Sequence, residues 1–344
     1  MLQGFPLHAL RPTTYESGFP REEKDVAKIF INEIKRGQTV ESTFLVREKA
    51  LTKTKSGNPY LSLRLADRTG EIDGRVWDNA IDFAPLFEPD DFIKVRGEVD
   101  EFQGTLQLRI LKLRKCQQEE IQLDDFLPKT PRNIEEMLAE VRRIASQINQ
   151  PFLRKLLDAF FADEDFVKKF KLAPAAKAVH HVYIGGLLEH TLSVVQLIHL
   201  VGPRYKGINQ DLLITGGILH DIGKISELSF DRSFDYTDPG RLLGHITLTV
   251  EMIDEKIRCM PEFPEDLSLL LKHIILSHHG EYAFGSPKRP KTLEALLLHH
   301  LDDLDAKLHG FLAWIEKEKD TPSRWTTYHK LFDRFIFKPQ ENES

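Results

Sequence analysis

Apolar residues recur at every second position between Gln38 and Lys115 and at a spacing of about 3.6 from Ile134 onward. The first period lays them on one face of a strand and the second on one stripe of a helix, so one kind of layer cannot serve both stretches. Two domains of different class follow, and 344 residues with 41% hydrophobic content suffice to give each a core. The first stretch divides into VESTFLVREK, YLSLRLAD, EIDGRVWD, FIKVRGEV and TLQLRILKLRK, five strands rich in β-branched and aromatic residues. A Lys, Gly and Pro loop, TKTKSGNP, separates the first two. NAIDFAPLF reads as a short helix after the third, and Gln103 with Gly104 supplies the turn before the last.

Five strands with a helix after the third match an OB-fold barrel. In the second strand Leu61, Leu63 and Leu65 point one way, opposite Tyr60, Ser62 and Arg64. In the third, Ile72, Gly74 and Val76 oppose Asp73, Arg75 and Trp77. The outer face therefore carries Tyr60, Arg64, Arg75 and Trp77, and Lys53 and Lys55 in the preceding loop extend it. Aromatic rings that stack bases beside cations that meet phosphates suit a single strand of nucleic acid. The plainer alternative packs Trp77 on the short helix and leaves the arginines as solvated charges.

Residues 1–37 carry Pro and Gly without a period and read as an arm before the barrel of residues 38–115. Residues 116–133, polar with two prolines, read as a linker, and residues 134–338 as an all-α bundle with flanking helices. Ile134 to Ile148 and Pro151 to Phe161 are amphipathic and read as a structural collar. Within the bundle the run DLLITGGILHDIGK, Asp211 to Lys224, ends in His220 and Asp221, one imidazole and one carboxylate, a pair that suits a divalent metal. Gly223 fits a left-handed position that ends the helix, and Lys224 a cation near its negative end. His190 shares a helical face with Leu187 and Val194 and so points into the bundle. Asp302 is flanked by Leu301, Leu304 and Leu308, where a carboxylate is costly unless paired or bound to metal. Asp305, one turn on, suits a supporting partner, and Asp303 faces solvent. ISELSFDRSFDYTDPG reads as a β-ribbon bearing Phe230, Arg232, Phe234 and Tyr236, and His245 falls near the first turn of the next helix. The loop Pro287 to Lys291 sets Lys288 and Arg289 just before the Asp302 helix, where positive charge opposes the helix dipole and makes sense if a phosphate visits.

Of 14 histidines, 12 lie from His180 to His309, a clustering that a metal site accounts for and core packing does not. His190 precedes His220 by 30 residues and Asp302 follows Asp221 by 81. This order resembles the HD-domain metal-dependent phosphohydrolases, in which a His, a His-Asp pair and a distant Asp hold a metal. A finer match lies in HHVYIGGLLEHT, HDIGK, LLGH, LSHHGEYAFGSP and HHLDDLDAK. With a barrel in front, these resemble the YhaM-type 3′-to-5′ exoribonucleases. The resemblance implies a manganese-dependent enzyme that shortens single-stranded RNA, and often DNA, from the 3′ end. His190, His220, Asp221 and Asp302 would then hold a first ion. His245, His278 and His279 resemble further ligands with Asp221 as the bridge, and Lys224 matches a lysine that approaches the scissile phosphate. Seven such groups exceed the needs of one ion and suit two, about 3.5–4 Å apart. Imidazole and carboxylate without thiolate fit Mn, Fe, Co or Ni.

Two other readings stay open: an HD phosphohydrolase acting on free or cyclic nucleotides, and a non-catalytic single-strand-binding replication factor. A stacking barrel argues against the first and an intact ligand set against the second. The net charge of −6 gives no general affinity for nucleic acid, so contact rests on local patches. No apolar run reaches the roughly 18 residues that span a bilayer, and the first residues lack a basic-then-apolar leader. Cys116 and Cys259 show no pairing or zinc spacing. A cytoplasmic enzyme is expected.

Overall fold

The computed structural model describes residues 28–102, 104–177, 181–230 and 234–339. Most of the N-terminal arm, Gln103, His180 and Arg232 lie outside the described residues. The chain forms two compact units that part between Phe126 and Leu127.

In the first unit, β1 (Thr39–Lys53), β2 (Pro59–Asp67), β3 (Gly70–Val76), β4 (Phe92–Phe102) and β5 (Thr105–Lys115) close a barrel in the order β1-β2-β3-β5-β4. The 15 residues of β1 serve two neighbours, β4 along its first half and β2 along its second. A register shift between Val46 and Glu48 bends the strand from one partner to the other. The alternation holds: Leu61, Leu63, Leu65, Ile72 and Val76 are buried with Val40, Phe44, Val95, Leu108 and Ile110 inside the barrel. The short helix α1 (Ala80–Phe83) follows β3, burying Ala80. Lys53 differs from expectation, since it is the last residue of β1 and only Lys55 stands in the loop. Loop composition cannot mark that boundary, because the main-chain ladder runs on to the Lys53–Pro59 pair. Past the barrel, Cys116 and Phe126 are buried with Leu45 and Phe92, the two phenyl rings 4.6 Å apart.

The second unit holds α2 (Ile134–Ala145), α3 (Pro151–Phe161), α4 (Glu164–Leu172), α5 (Gly186–Val201), α6 (Gln210–Leu219), α7 (Lys224–Glu227), α8 (Asp238–Arg258), α9 (Glu265–Ser277) and α10 (Leu293–Lys317). The ribbon β6 (Leu228–Ser229) and β7 (Asp235–Tyr236) links α7 to α8. Side chains close many of the helix starts: Asn133, Gln150, Asp163, Asn209, Thr237 and Thr292 each accept from a main-chain N–H of the first turn. α6 is buried along its length from Leu212 to Leu219, which explains why its sequence is apolar all round. Its neighbours are α5, α9 and α10, through Val195, Ile198, Ile274 and Leu298. A helix so enclosed carries its C-terminal end, and therefore His220, into the interior. Among the described residues no helix is long and apolar enough to cross a membrane.

Candidate metal centre and strand-binding face

His220 is the residue that ends α6, and Asp221 follows it; both are buried. His190 comes from the second turn of α5 and Asp302 from α10. His190 Nε2 lies 3.2 Å from His220 Nε2, 3.1 Å from Asp302 Oδ1 and 3.6 Å from Asp221 Oδ2. His220 Nε2 lies 3.4 Å from Asp221 Oδ2 and 3.7 Å from Asp302 Oδ1. Metal bonds of about 2.0–2.2 Å place neighbouring ligand atoms about 3–3.6 Å apart, so these four groups have the spacing of a coordination shell.

The other oxygen of Asp221 faces a different set. Oδ1 lies 3.5 Å from His245 Nε2 and 3.6 Å from His278 Nε2, and His279 completes a group whose ligand atoms all lie within 4.8 Å of one another. Asp221 Oδ1, His245 Nε2 and His278 Nε2 are buried without a hydrogen-bond partner. Buried polar atoms are nearly always satisfied, and three that converge on one point are what a cation would satisfy. The donor set of imidazoles and carboxylates therefore fits divalent metal.

All five imidazoles are held in the same sense. Nδ1–H of His220 donates to Gly217 O, that of His278 to Ile275 O and that of His279 to Phe284 O, at 2.9, 2.7 and 3.0 Å. His190 Nδ1 donates to Asp305 Oδ2 at 2.7 Å and His245 Nδ1 to Glu227 Oε1 at 3.0 Å. Fixing the outer nitrogen fixes the tautomer and leaves Nε2 as the ligand atom. Glu227 also accepts from the main-chain N–H of His245 at 3.0 Å. It escaped the sequence reading, although an acid inside the short buried turn Lys224–Glu227 was a usable signal. His181, Tyr183, Ser193 and His309, which gather around Asp305, were missed as well.

Charge is balanced within the cluster. Burial would raise the carboxyl of Asp221, yet Lys224 and His220 outweigh it and hold it well below the usual range. Burial would lower His220, yet Asp221 and Asp302 raise it to about 10, so a metal ion binding at its Nε2 must displace a proton there. His279 is pushed down to about 3 by burial and by His278 and His245, so it is a neutral imidazole at working pH. Lys224, itself buried, places Nζ 2.6 Å from Asp221 Oδ2.

Two expectations need correction, those for Gly223 and for the stripe around Asp302. Gly223 is right-handed, with φ −60°, and starts α7. Its reason is close approach: a Cβ there would stand 2.2 Å from His245 O and 2.7 Å from Thr249 N. His245 follows a break at Gly244, whose φ is 73°, and so stands in the first turn of the helical stretch beyond it, although α8 as a whole begins at Asp238. The apolar stripe expected around Asp302 is incomplete, since Leu301 is buried while Leu304 and Leu308 are 43% and 54% exposed. Asp302 sits at the edge of the core, held below the usual carboxylate range by His190 and His220 against the effect of burial.

On the barrel, Tyr60 and Trp77 stack with centroids 4.7 Å apart, and Trp77 stays 44% exposed. The arginines are already engaged. Arg64 Nε lies 3.5 Å from Asp73 Oδ1 and Arg75 Nη2 3.7 Å from Asp73 Oδ2, while Arg64 also meets Glu71 at 3.5 Å. Pairing of β2 with β3 sets Arg64 directly across from Asp73, which explains these contacts. Lys53 and Lys55 are exposed. Lys288 and Arg289 are exposed between α9 and α10, and Arg289 pairs with Glu281 at 2.9 Å.

Residues 187–307 match the HD domain family and residues 45–115 the OB-fold nucleic acid binding domain family. A protein of Oceanobacillus iheyensis named 3′-5′ exoribonuclease YhaM is 36% identical over 89% of this chain and 96% of its own. Proteins of the same name from Geobacillus sp. and Bacillus subtilis are each 33% identical, over 88% and 90% of this chain and 93% and 98% of theirs. An OB barrel and an HD domain with a His and Asp centre in one chain define a hydrolase with a nucleic-acid-binding module. The chain belongs to the YhaM family of 3′-5′ exoribonucleases.

Proposed function

We propose that this chain removes nucleotides one at a time from the 3′ end of single-stranded RNA, and of single-stranded DNA, by metal-dependent hydrolysis to nucleoside monophosphates. The observation that carries the two-metal form of this reading is the Asp221 carboxylate, which offers Oδ2 to His190 and His220 and Oδ1 to His245 and His278. In the proposal His190, His220, Asp221 and Asp302 hold one ion and Asp221, His245, His278 and His279 the other. Manganese is the ion that the family resemblance implies, and the imidazole and carboxylate donors equally accept Fe, Co or Ni. Bound there, the ions would lower the pKa of a water and neutralise charge on the phosphate.

The chain's own side chains do the rest. Asp305 and Glu227 keep His190 and His245 turned inward. Lys224, at the rim of the Asp221 carboxylate, sets a cation where a phosphate oxygen gains charge. Tyr60 and Trp77 stack bases, and Lys53, Lys55, Arg64, Arg75, Lys288 and Arg289 meet phosphates, the two barrel arginines by exchanging Asp73 for them. The barrel of residues 38–115 holds the strand and the helices of residues 134–338 cut it, on either side of a connection at 116–133 and behind an arm at 1–37. Its place of work is the cytoplasm.

The test is an end-labelled strand with Mn²⁺. A 5′-labelled single strand is expected to shorten into a ladder and a 3′-labelled one to release its label at once as a mononucleotide. Immediate release from a labelled 5′ end would reverse the polarity, and turnover confined to free nucleotides would replace the proposal with a nucleotide phosphohydrolase. Trp77→Ala is expected to weaken binding of long single strands by roughly 1–3 kcal/mol for a lost base stack, read by fluorescence anisotropy. Cleavage of a dinucleotide should hardly change; an equal loss on both substrates would make Trp77 a structural residue.

A further inference from the structure

Behind His190, away from Asp221, lies a second group of metal-binding side chains. His181 Nε2 is 3.4 Å from Asp305 Oδ2, and His309 Nε2 is 3.7 Å from Asp305 Oδ1. The two imidazole rings lie 3.9 Å apart, and one ligand atom from each of the three residues falls within 4.8 Å of the others. His309 follows Asp305 by one turn of α10, which sets both on one face of that helix.

Counting protons fixes how His181 presents itself. The Tyr183 hydroxyl oxygen lies 2.9 Å from Glu189 Oε2 and 2.6 Å from His181 Nδ1. Tyr183 has one proton, and an ionised carboxylate has none to give, so Tyr183 donates to Glu189 and accepts from His181 Nδ1–H. Thr130 Oγ1 donates to the same Glu189 oxygen at 2.6 Å and keeps that carboxylate in place. His181 thus turns Nε2 towards Asp305 with its outer nitrogen anchored, the same arrangement that the five imidazoles of the Asp221 centre adopt. The His181 side chain is fully buried, that of Asp305 nearly so, and that of His309 is 35% exposed. Two imidazoles and a carboxylate, with one side open to water, form the donor set of a three-ligand site with a solvent position.

We propose that His181, Asp305 and His309 bind one additional divalent ion, zinc or one of similar nitrogen preference, at a site separate from the Asp221 centre. Imidazole donors favour zinc, cobalt and nickel over manganese, and because the imidazoles of the Asp221 centre share that preference, comparison with a His309 variant is what separates the two sites. The two sites are coupled through one carboxylate, because Asp305 Oδ2 also accepts from His190 Nδ1 at 2.7 Å. Lone-pair density drawn to an ion behind Asp305 is lost to that hydrogen bond, and His190 becomes a poorer ligand. Zinc at this site therefore slows the reaction of the manganese-loaded enzyme.

The full chain is loaded with Mn²⁺, titrated with Zn²⁺, freed of unbound metal and assayed for bound ions and for activity. Wild type is expected to hold one zinc more than His309→Ala. The zinc concentration that halves activity should rise about tenfold in the variant, the low end of what an outer hydrogen-bond partner contributes. His309→Gln, milder in shape, should behave as His309→Ala does. A separate measurement does not depend on activity: the Co²⁺ absorption of Asp221→Asn should lose the contribution of one ion when His309→Ala is added. Equal zinc content and equal zinc sensitivity in wild type and both His309 variants would overturn the proposal. So would a cobalt spectrum of Asp221→Asn that His309→Ala leaves unchanged. Failure of the two-ion reading would show instead as fewer than two manganese ions on each wild-type chain before any zinc is added.

Discussion

With two manganese ions held as proposed, Asp221→Ala is expected to bring hydrolysis of single-stranded RNA to background and to release both. The geometry explains why one residue does so much. Its two oxygens stand between the imidazoles of His190 and His220 on one side and those of His245 and His278 on the other, at 3.4–3.6 Å. Removing a single electrostatic contact at a reacting centre already costs roughly 10²–10³ in rate, and in the proposed arrangement this change would remove a ligand from two ions together. It also leaves Lys224 buried without its partner at 2.6 Å. Breaking a buried ion pair from one side costs about 3–5 kcal/mol, so the metal-free variant should melt well below the metal-free wild type. Asp221→Asn, which keeps the shape, separates the catalytic loss from the packing loss. Strand binding should survive both, since Tyr60 and Trp77 lie in the other unit. Elemental analysis finding two manganese ions still bound to Asp221→Ala would refute the bridging role.

The parts of this architecture that were legible in sequence are those set by side-chain period and residue type. The alternation of Leu61, Leu63 and Leu65 foretells a barrel wall because a pleated strand sends every second residue inward. His190 reads as buried because it shares a helical face with Leu187 and Val194. Less legible were the groups that hold the imidazoles. Gly217 O, Ile275 O and Phe284 O anchor three of them, and a main-chain carbonyl leaves no mark in residue type. The pairing of Arg64 and Arg75 with Asp73 needed the β2–β3 register, which depends on where a turn is placed and not on composition. The stripe around Asp302 misled because Leu304 and Leu308 are apolar yet lie on the outer side of α10.

Gly223 shows the same ambiguity in its sharpest form, because a glycine after a helix end has two physical reasons to be there. Either the backbone is left-handed, which other residues resist, or another segment passes too close for a side chain. The φ of −60° selects the second, and the passing segment is α8, whose His245 O would stand 2.2 Å from an added Cβ. The Gly223 N–H donates to Thr249 Oγ1 at 2.9 Å, so the strands of contact on both sides are already drawn tight. Gly223→Ala must push α8 away, and His245 moves with it from Asp221 Oδ1. The expected result is a loss of about 1–3 kcal/mol in unfolding free energy, typical of overpacking, read by chemical denaturation. In the proposed two-ion arrangement, the ion on the His245 side should go with it while the His190 and His220 side keeps its own. A second substitution tells the two reasons apart. Asn adopts a left-handed backbone more readily than Ala, so a left-handed position would tolerate Gly223→Asn better. Close approach penalises the bulkier residue, and Gly223→Asn should therefore be at least as destabilising as Gly223→Ala. A milder loss for Asn than for Ala would show that contact with α8 is not what keeps a glycine between Asp221 and Lys224.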